Sequence, residues 1–156
     1  MTFQSRNWMV ESAHRYLQAA HLLANTNNLM QVAEVNASFG IEILLKSLNS
    51  EILSNTGKPT ETYITGQRGH DLLKLYESID PKIIRESGLV QFEAWIKRLS
   101  VTNIKSRYPY EDGAASGYSS VIVEVGEQML KEVASYYKLN GASDHWVAYV
   151  SDIRSL

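Results

Sequence analysis

The chain has 156 residues, 44% of them hydrophobic, with 17 acidic side chains against 15 Lys and Arg. This length and composition predict a single globular domain over residues 1–156 with a core of its own, and they exclude a disordered chain and a broadly basic nucleic-acid coat. The chain contains no cysteine, which excludes a disulfide framework, a thiolate nucleophile and a Cys-based zinc site.

No apolar run approaches the roughly 18 residues that a membrane span requires. The N-terminal residues 1–6 lack the apolar core of a secretory signal. We therefore expect a cytoplasmic protein without membrane contact.

The first predicted helix, residues 5–25, is amphipathic, because apolar residues recur at three- and four-residue steps along one face. Its opposite, polar side carries Glu11, His14, Gln18 and His21. His14 and His21 are two turns, about 10 Å, apart along the helix axis, which is too far for one metal ion. We interpret this side as a solvated face, and we expect neither a metal nor another cofactor in the protein.

The second predicted helix, residues 29–53, leaves only a narrow polar stripe, formed by Glu34, Ser38, Glu42 and Lys46. A helix that is apolar around most of its circumference must be covered on several sides, so this segment is predicted to be the central helix of a bundle. Glu42 and Lys46 stand at i and i+4, in the order that favours an ion pair worth about 0.2–0.5 kcal/mol if exposed.

Residues 54–69 are rich in Asn, Thr, Gly and Pro and are predicted to form a long loop. A short helix follows over 70–79, with Asp71 in its first turn, where the helix dipole favours an acid. Asp80 and Pro81 suit the N-cap and first position of another short helix.

The remaining elements are an amphipathic helix over 89–102, a second loop over 105–117, the last strong helix over 118–138 and a short helix in the tail, 143–156. The run Val121-Ile122-Val123 is β-prone, but its neighbours keep the helical period. Asn140-Gly141 is expected to end the last strong helix. The predicted fold class is therefore all-α, an antiparallel bundle of about five helices.

Three motifs occur in order along this predicted bundle. They are Gly40-Ile41-Glu42-Ile43-Leu44-Leu45-Lys46 in the second helix, Gly69-His70-Asp71-Leu72 at the start of the third, and Arg107-Tyr108-Pro109 before the last. In spacing and order, over a core of roughly residues 6–138, the chain resembles the HEPN domain, the nucleotide-binding domain shared by higher eukaryotes and prokaryotes.

This resemblance implies a helical bundle that dimerises across its long helices. Many HEPN proteins are metal-independent ribonucleases, others bind nucleotides, and many pair with a small nucleotidyltransferase. The resemblance also implies a toxin–antitoxin or defence setting. The nuclease members carry an Arg followed four to six residues later by a His, at the start of a late helix.

The sequence departs from that nuclease pattern. Arg107 occupies the expected late position, but the only later histidine is His145. Arg15 and His21 have the right spacing, but they lie in the first helix and, six helical steps apart, point about 120° away from each other. We therefore name no catalytic residue.

The strongest single candidate for ligand contact is Arg107. Its guanidinium, with Lys105 nearby and Tyr108 and Tyr110 as stacking surfaces, could hold the phosphate of a nucleotide or of RNA. The alternative interpretation is architectural: Arg107 pairs with Glu111 or another carboxylate, Tyr108 fills the core, and the neighbouring proline fixes the turn.

Glu42, Lys46 and His70 are three further binding candidates. The first two could face a dimer cleft as part of a polar site, or could form a solvated or buried ion pair with little net effect. His70 could contact a ligand, although its place between Gly69 and Asp71 favours a helix-start residue that bonds local backbone.

The sequence thus predicts a non-catalytic HEPN-type module, dimeric through its long helices, that binds a nucleotide or RNA or docks a nucleotidyltransferase partner. One alternative is a metal-independent endoribonuclease with a degenerate Arg/His motif. Another is a helical protein–protein adaptor with no small ligand.

Overall fold

The structure, a computed structural model, describes residues 7–54, 62–65, 68–107, 110–112 and 117–152, and it describes side chains for 8–51, 68–101, 110–112 and 117–152. Its elements in chain order are α1 (Asn7–Ala24), α2 (Met30–Leu48), β1 (Ser50–Ser54), β2 (Thr62–Thr65), α3 (Leu72–Glu77), α4 (Pro81–Glu86), a 3₁₀ turn (Leu89–Phe92), α5 (Glu93–Arg107), α6 (Val121–Leu139) and α7 (His145–Asp152). The predicted all-α bundle is confirmed. Within these residues there are seven α-helices, two more than the expected bundle of about five, and the short α3, α4 and α7 match short helices that the sequence predicts.

The other helices are arranged around α2. It packs against α1, α3, α5 and α6, and its residues Ala33, Ala37, Ile41, Leu44 and Leu45 are fully buried. An apolar pattern around most of a helix requires cover on several sides, and these four helices supply it. The prediction of a central helix is therefore confirmed for Met30–Leu48.

Three helices come close together around Leu17 of α1. A Cβ atom on Gly40 of α2 would lie 2.7 Å from Leu17 Cγ and 3.3 Å from the carbonyl oxygen of Ala13. A Cβ atom on Gly126 of α6 would overlap the same leucine at Cδ2. Leu17 is itself fully buried, so the two glycines leave the space that its side chain fills.

The second helix is shorter than predicted and is followed by a strand. Asn49 ends α2 with a non-helical backbone (φ −122°, ψ 28°), and its side chain donates a hydrogen bond to Ser78 Oγ at 2.9 Å. β1 then pairs antiparallel with β2, with Ser50 opposite Thr65.

The expected helix to 53 and the expected loop over 54–69 were therefore wrong at the two strands. Pairing of β1 with β2 supplies hydrogen bonds to backbone N–H and C=O groups that the predicted helix would have bonded within itself. The residue pattern within β1 does not reveal that β2 is its partner, so the strand could not be predicted from it. Residues 55–61 and 66–67 of the predicted loop lie outside the described part of the chain.

The short helices begin where their capping residues allow. The carboxylate of Asp71 accepts hydrogen bonds from the backbone N–H groups of Leu73 and Lys74, at 3.0 and 3.2 Å, so Asp71 is the N-cap of α3 rather than part of its first turn. Asp80 caps α4 with Pro81 at its start, as predicted.

The later helices are longer or shorter than predicted at their ends. α5 continues to Arg107, so Lys105 and Arg107 lie in a helix and not in the predicted loop. The β-prone run at Val121 is helical, as predicted, and Asn140 ends α6 with Gly141 at a φ of 93°. The tail forms α7, which packs against α6 and α1.

Substitution of Gly40 tests the close packing at Leu17. Gly40→Ala is expected to lower the free energy of unfolding by about 1–3 kcal/mol, because the new methyl group would overlap Leu17 and approach the Ala13 backbone. Gly117→Ala is the matched control, because a Cβ atom there would meet no described heavy atom within 4 Å. Urea unfolding would measure both variants, and equal stability of the two would contradict the packing argument.

Candidate functional site

Three of the predicted site residues meet at one carboxylate. Glu42, on α2, is 5% exposed. Its Oε1 accepts a hydrogen bond from Lys46 Nζ at 2.7 Å, one turn along the same helix, and lies 2.8 Å from Nδ1 of His70 in the segment before α3. The Lys46 side chain is mostly buried, whereas the His70 side chain is 61% exposed. The arrangement, here called the Glu42 cluster, links a buried carboxylate to a lysine and to a solvent-facing histidine.

The contacts of the Glu42 cluster decide its protonation. Burial alone would raise the pKa of the Glu42 carboxyl, but hydrogen bonds from Lys46 and His70, together with their charges, outweigh burial and hold the pKa below its ordinary value. An ionised carboxylate can only accept hydrogen bonds, so His70 donates through Nδ1. Its Nε2 is then the ring nitrogen left for a ligand, as an acceptor when the ring is neutral and a donor when it is protonated.

The segment Gly69-His70-Asp71-Leu72 places His70 at this carboxylate. Gly69 has a φ of 103°, which L side chains rarely adopt, so the chain can turn just before the histidine. Asp71 accepts a hydrogen bond from Ser100 Oγ at 2.5 Å, which joins the start of α3 to α5 and is the main cause of its lowered pKa. Leu72 is fully buried. Among the described residues, the His70 ring bonds Glu42 and not local backbone, so that expectation was wrong.

The other predicted ligand contacts lie in or beyond α5. The backbone of Lys105 and Arg107 is helical, but their side chains lie outside the described part of the chain, as does the whole of Tyr108. Tyr110 is described and is 81% exposed. The ligand role of these four residues stays a prediction.

A basic run along α5 was missed by the sequence analysis. Between Glu93 and Glu111 the sequence has no acidic residue and four basic ones. They are Lys97, Arg98, Lys105 and Arg107. Because α5 packs against both α2 and α3, this run belongs to elements that adjoin the Glu42 cluster. A running count of charge along the sequence, instead of one total for the whole chain, would have found it.

A concave region lies between α1 and α7. It is a cleft of about 520 Å³, here called the α1–α7 cleft, lined by His14, Gln18, His145, Trp146 and Tyr149. The ring of His14 lies 6.0 Å from those of Trp146 and Tyr149, which cross each other at 84° with their centroids 5.8 Å apart. The cleft is therefore walled by aromatic rings on two sides.

The predicted solvated face of the first helix is wrong at two residues. Glu11 is 5% exposed and His14 is 4% exposed, because α6 and α7 pack against α1. A third residue of that face, His21, has Nδ1 2.8 Å from Oε1 of Glu127 on α6. The polar side of the first helix thus takes part in the bundle instead of facing water along its whole length.

The buried imidazole of His14 stays neutral. Burial lowers its pKa, the charge of Arg15 lowers it further, and the opposite effect of Glu11 is smaller. Its Nδ1 is buried and has no hydrogen-bond partner among the described residues, a situation that costs about 1–3 kcal/mol. One wall of the α1–α7 cleft is therefore the neutral His14 ring, whose Nδ1 has no hydrogen-bond partner among the described residues.

Neither the Glu42 cluster nor the α1–α7 cleft has the composition of a metal site. In the part of the chain that the structure describes, no group of three or more His, Asp and Glu residues is arranged to hold a metal ion. No helix in that part is both long enough and apolar enough to cross a membrane.

No protein-family model, curated protein or solved structure matches this chain. The resemblance to HEPN domains therefore stays a prediction. Functional conclusions depend on the geometry of the Glu42 cluster and the α1–α7 cleft.

Removing the charge of Glu42 tests the energetics of its cluster. Glu42→Gln should lower stability at neutral pH by about 1–3 kcal/mol, because Lys46 and His70 lose an ionised partner. Since the folded-state pKa of Glu42 is lowered, its contribution is present above the ordinary Glu value of about 4.3 and is lost as the pH falls through the folded pKa. Urea unfolding should show the full difference between wild type and variant at about pH 7, and this difference should shrink once the pH falls below about 4.3.

Glu86→Gln is the control for this comparison. The pair of Lys82 and Glu86 has the same i,i+4 spacing but well-exposed side chains, so its loss should change stability little at any pH. A loss of stability in Glu42→Gln that does not depend on pH would contradict the assignment of an ionised Glu42.

Proposed function

We propose that the chain is a non-catalytic helical module that binds the phosphate of a nucleotide or of single-stranded RNA at the Glu42 cluster and the adjoining surface of α5. The observation that carries the proposal is the meeting of Glu42, Lys46 and His70 at hydrogen-bond distance, with the histidine exposed. A carboxylate on Nδ1 fixes the ring orientation and leaves Nε2 to donate to an anion when the ring is protonated.

The local charge supports an anionic ligand although the whole chain is slightly acidic. Arg68 and Lys74 flank His70 in sequence and are exposed, and the neighbouring α5 carries the basic run that ends at Arg107. Buried Glu42 balances the partly buried Lys46, so the exposed cations supply the attraction for phosphate. Arg107, as the sequence predicted, would add a planar guanidinium for phosphate.

RNA binding in EDTA tests the phosphate site. Fluorescence anisotropy with a labelled single-stranded RNA should show that His70→Ala and Arg107→Ala each weaken binding about 10-fold or more, because each removes a charge-assisted contact. Each lost phosphate contact should also reduce the slope of log K against log salt by about 0.7.

Lys82→Ala is the matched control for RNA binding, because Lys82 is an exposed cation on α4 that pairs with Glu86. It should leave both affinity and salt slope nearly unchanged. Absence of RNA binding by the wild-type protein, in low salt and with trinucleotides and mononucleotides as further probes, would overturn the proposal. Co-purification of a nucleotidyltransferase in that case would favour the partner-docking function instead.

The Glu42 cluster also supports a second candidate function, a metal-independent endoribonuclease. An imidazole whose Nδ1 is held by a carboxylate can act through Nε2 as a general base. In this role His70 would take the proton of a ribose 2′-hydroxyl as that oxygen attacks phosphorus, and the bond from phosphorus to the 5′-oxygen would break as that oxygen takes a proton from water. Cleavage of the labelled RNA in EDTA, lost in His70→Ala while the fold persists, would establish this activity over simple binding.

A dimer is the assembly that the surface of α2 supports. Val32, Val35, Phe39 and Ile43 recur at three- and four-residue steps and are all partly exposed, with Val32 at 39%. Tyr16 of α1 extends this stripe, being 42% exposed with its ring 5.7 Å from that of Phe39. A continuous apolar stripe exposed to water is a self-complementary surface for a second copy. The HEPN resemblance implies the same contact across long helices.

Light scattering after gel filtration tests this dimer. The wild-type protein should elute as a dimer, and Val32→Glu should shift it to monomer, because the new carboxylate would be buried in the apolar contact without a partner. Val90→Glu is the control, since Val90 is a more exposed valine (55%) in the 3₁₀ turn, outside the stripe. A wild-type monomer at high concentration would contradict the dimer.

A further inference from the structure

The α1–α7 cleft has the features of a small-molecule site. Its volume of about 520 Å³ lies within the range of about 300–1,000 Å³ that is common for ligand pockets. Its walls differ in exposure, because His14 is buried whereas Tyr149 is 55% exposed and Gln18 is also exposed. Small-molecule sites are usually lined by apolar and aromatic side chains, with a few polar groups that fix the orientation of the ligand. Here the rings are the apolar lining and the amide of Gln18 is the polar group.

The ring geometry suits a flat ligand. Tyr149 stands at 87° to His14 and at 84° to Trp146. Two perpendicular walls let one planar ring stack on the first wall while its edge meets the face of the second, and these are the two arrangements that aromatic pairs prefer. An aliphatic chain would gain neither contact.

The carboxylates next to the lining residues of the α1–α7 cleft are already engaged. Glu11 is bonded to Arg15, and Asp144 accepts hydrogen bonds from the backbone N–H groups of Trp146 and Val147 at the start of α7. A quaternary ammonium or a protonated amine, the other usual occupant of an aromatic enclosure, would compete with these partners for a counter-charge. A neutral ligand needs no counter-charge.

We propose that the α1–α7 cleft binds the base of a purine nucleoside, stacked in the corner formed by Trp146 and Tyr149 with the amide of Gln18 at its edge. A glutamine amide has one acceptor and two donors in one plane, and it matches the neighbouring acceptor and donor on the edge of adenine. His14 forms the neutral rear wall. This site is independent of the proposed phosphate site, since its residues belong to α1 and α7 whereas the Glu42 cluster belongs to α2 and the segment before α3.

Titration of the full-length protein with adenosine tests the α1–α7 cleft. Adenosine carries no phosphate, so the result does not depend on the Glu42 cluster. The chain has three tryptophans, Trp8, Trp95 and Trp146, and the indole N–H resonance of Trp146 should move most in proton–nitrogen spectra. Trp146→Ala and Tyr149→Ala should each weaken adenosine binding about 5- to 150-fold, the effect of losing one base-stacking contact.

Two further substitutions sharpen the experiment. Trp95→Ala is the matched control, because Trp95 is also a half-buried tryptophan but lies on α5 beneath Arg98, so adenosine binding should be retained. Gln18→Ala alters an exposed side chain, so it should keep the fold while removing the preference for adenosine over indole as a probe.

Several outcomes would overturn the purine proposal. They are an unmoved Trp146 resonance at millimolar adenosine, binding that survives both Trp146→Ala and Tyr149→Ala, and binding of tetramethylammonium in place of adenosine. Failure here would leave the RNA result with His70→Ala and Arg107→Ala unaffected, because those variants report on the Glu42 cluster and α5. Loss of RNA binding with retained adenosine binding would, conversely, reject only the phosphate site.

Discussion

The packing of Leu17 between two glycines determines how the long helices are placed. Gly40 and Gly126 let α2 and α6 approach the same side chain of α1, and a Cβ atom at either position would overlap it. Successive residues of a helix are rotated by about 100°, so fixing Gly40 against α1 turns Glu42, two residues later, toward the other side of α2. On that side the segment before α3 brings His70 to the carboxylate. The close approach of the helices therefore sets the rotation of α2 on which the Glu42 cluster depends.

The helices could be predicted because their apolar periodicity is local, whereas the hairpin could not. Ser50–Ser54 continues the apolar content of α2, and only its pairing with Thr62–Thr65 makes it a strand. The polar side of α1 shows the same limit. His14 lies on a face that the sequence alone assigns to solvent, yet it is covered by rings of α7 from the other end of the chain. A pattern within one helix reports how many sides are apolar, but not which distant element covers the remaining side.

The site was predictable as a set of residues and not as an arrangement. The i,i+4 spacing of Glu42 and Lys46 was enough to predict their ion pair. His70 was a candidate as well, but its bond to Glu42 depends on the turn at Gly69 and on the attachment of Asp71 to Ser100. The bonds of Asp71 to Ser100 and of His70 to Glu42 are not visible in a linear pattern, because each one joins segments that the fold brings together. The motif Gly69-His70-Asp71-Leu72 thus acquires a physical meaning residue by residue: a turn, a solvent-facing ring, a helix cap and a core side chain.

Both candidate sites are built mainly on packed helices. Three of the five side chains that line the α1–α7 cleft belong to α7 and two to α1, while the carboxylate and lysine of the Glu42 cluster belong to α2. His70 lies before α3, but the cap at Asp71 and the buried Leu72 restrain it on one side and Glu42 on the other. Ordering a flexible segment opposes binding, whereas groups already fixed by packing avoid that cost. His14 and Leu17 are also one turn apart on α1. The packing of Leu17 against Gly40 therefore orients two groups, Glu42 on α2 and the His14 wall of the α1–α7 cleft on α1. The same interhelical contact thereby preorganises two sites that share no residue.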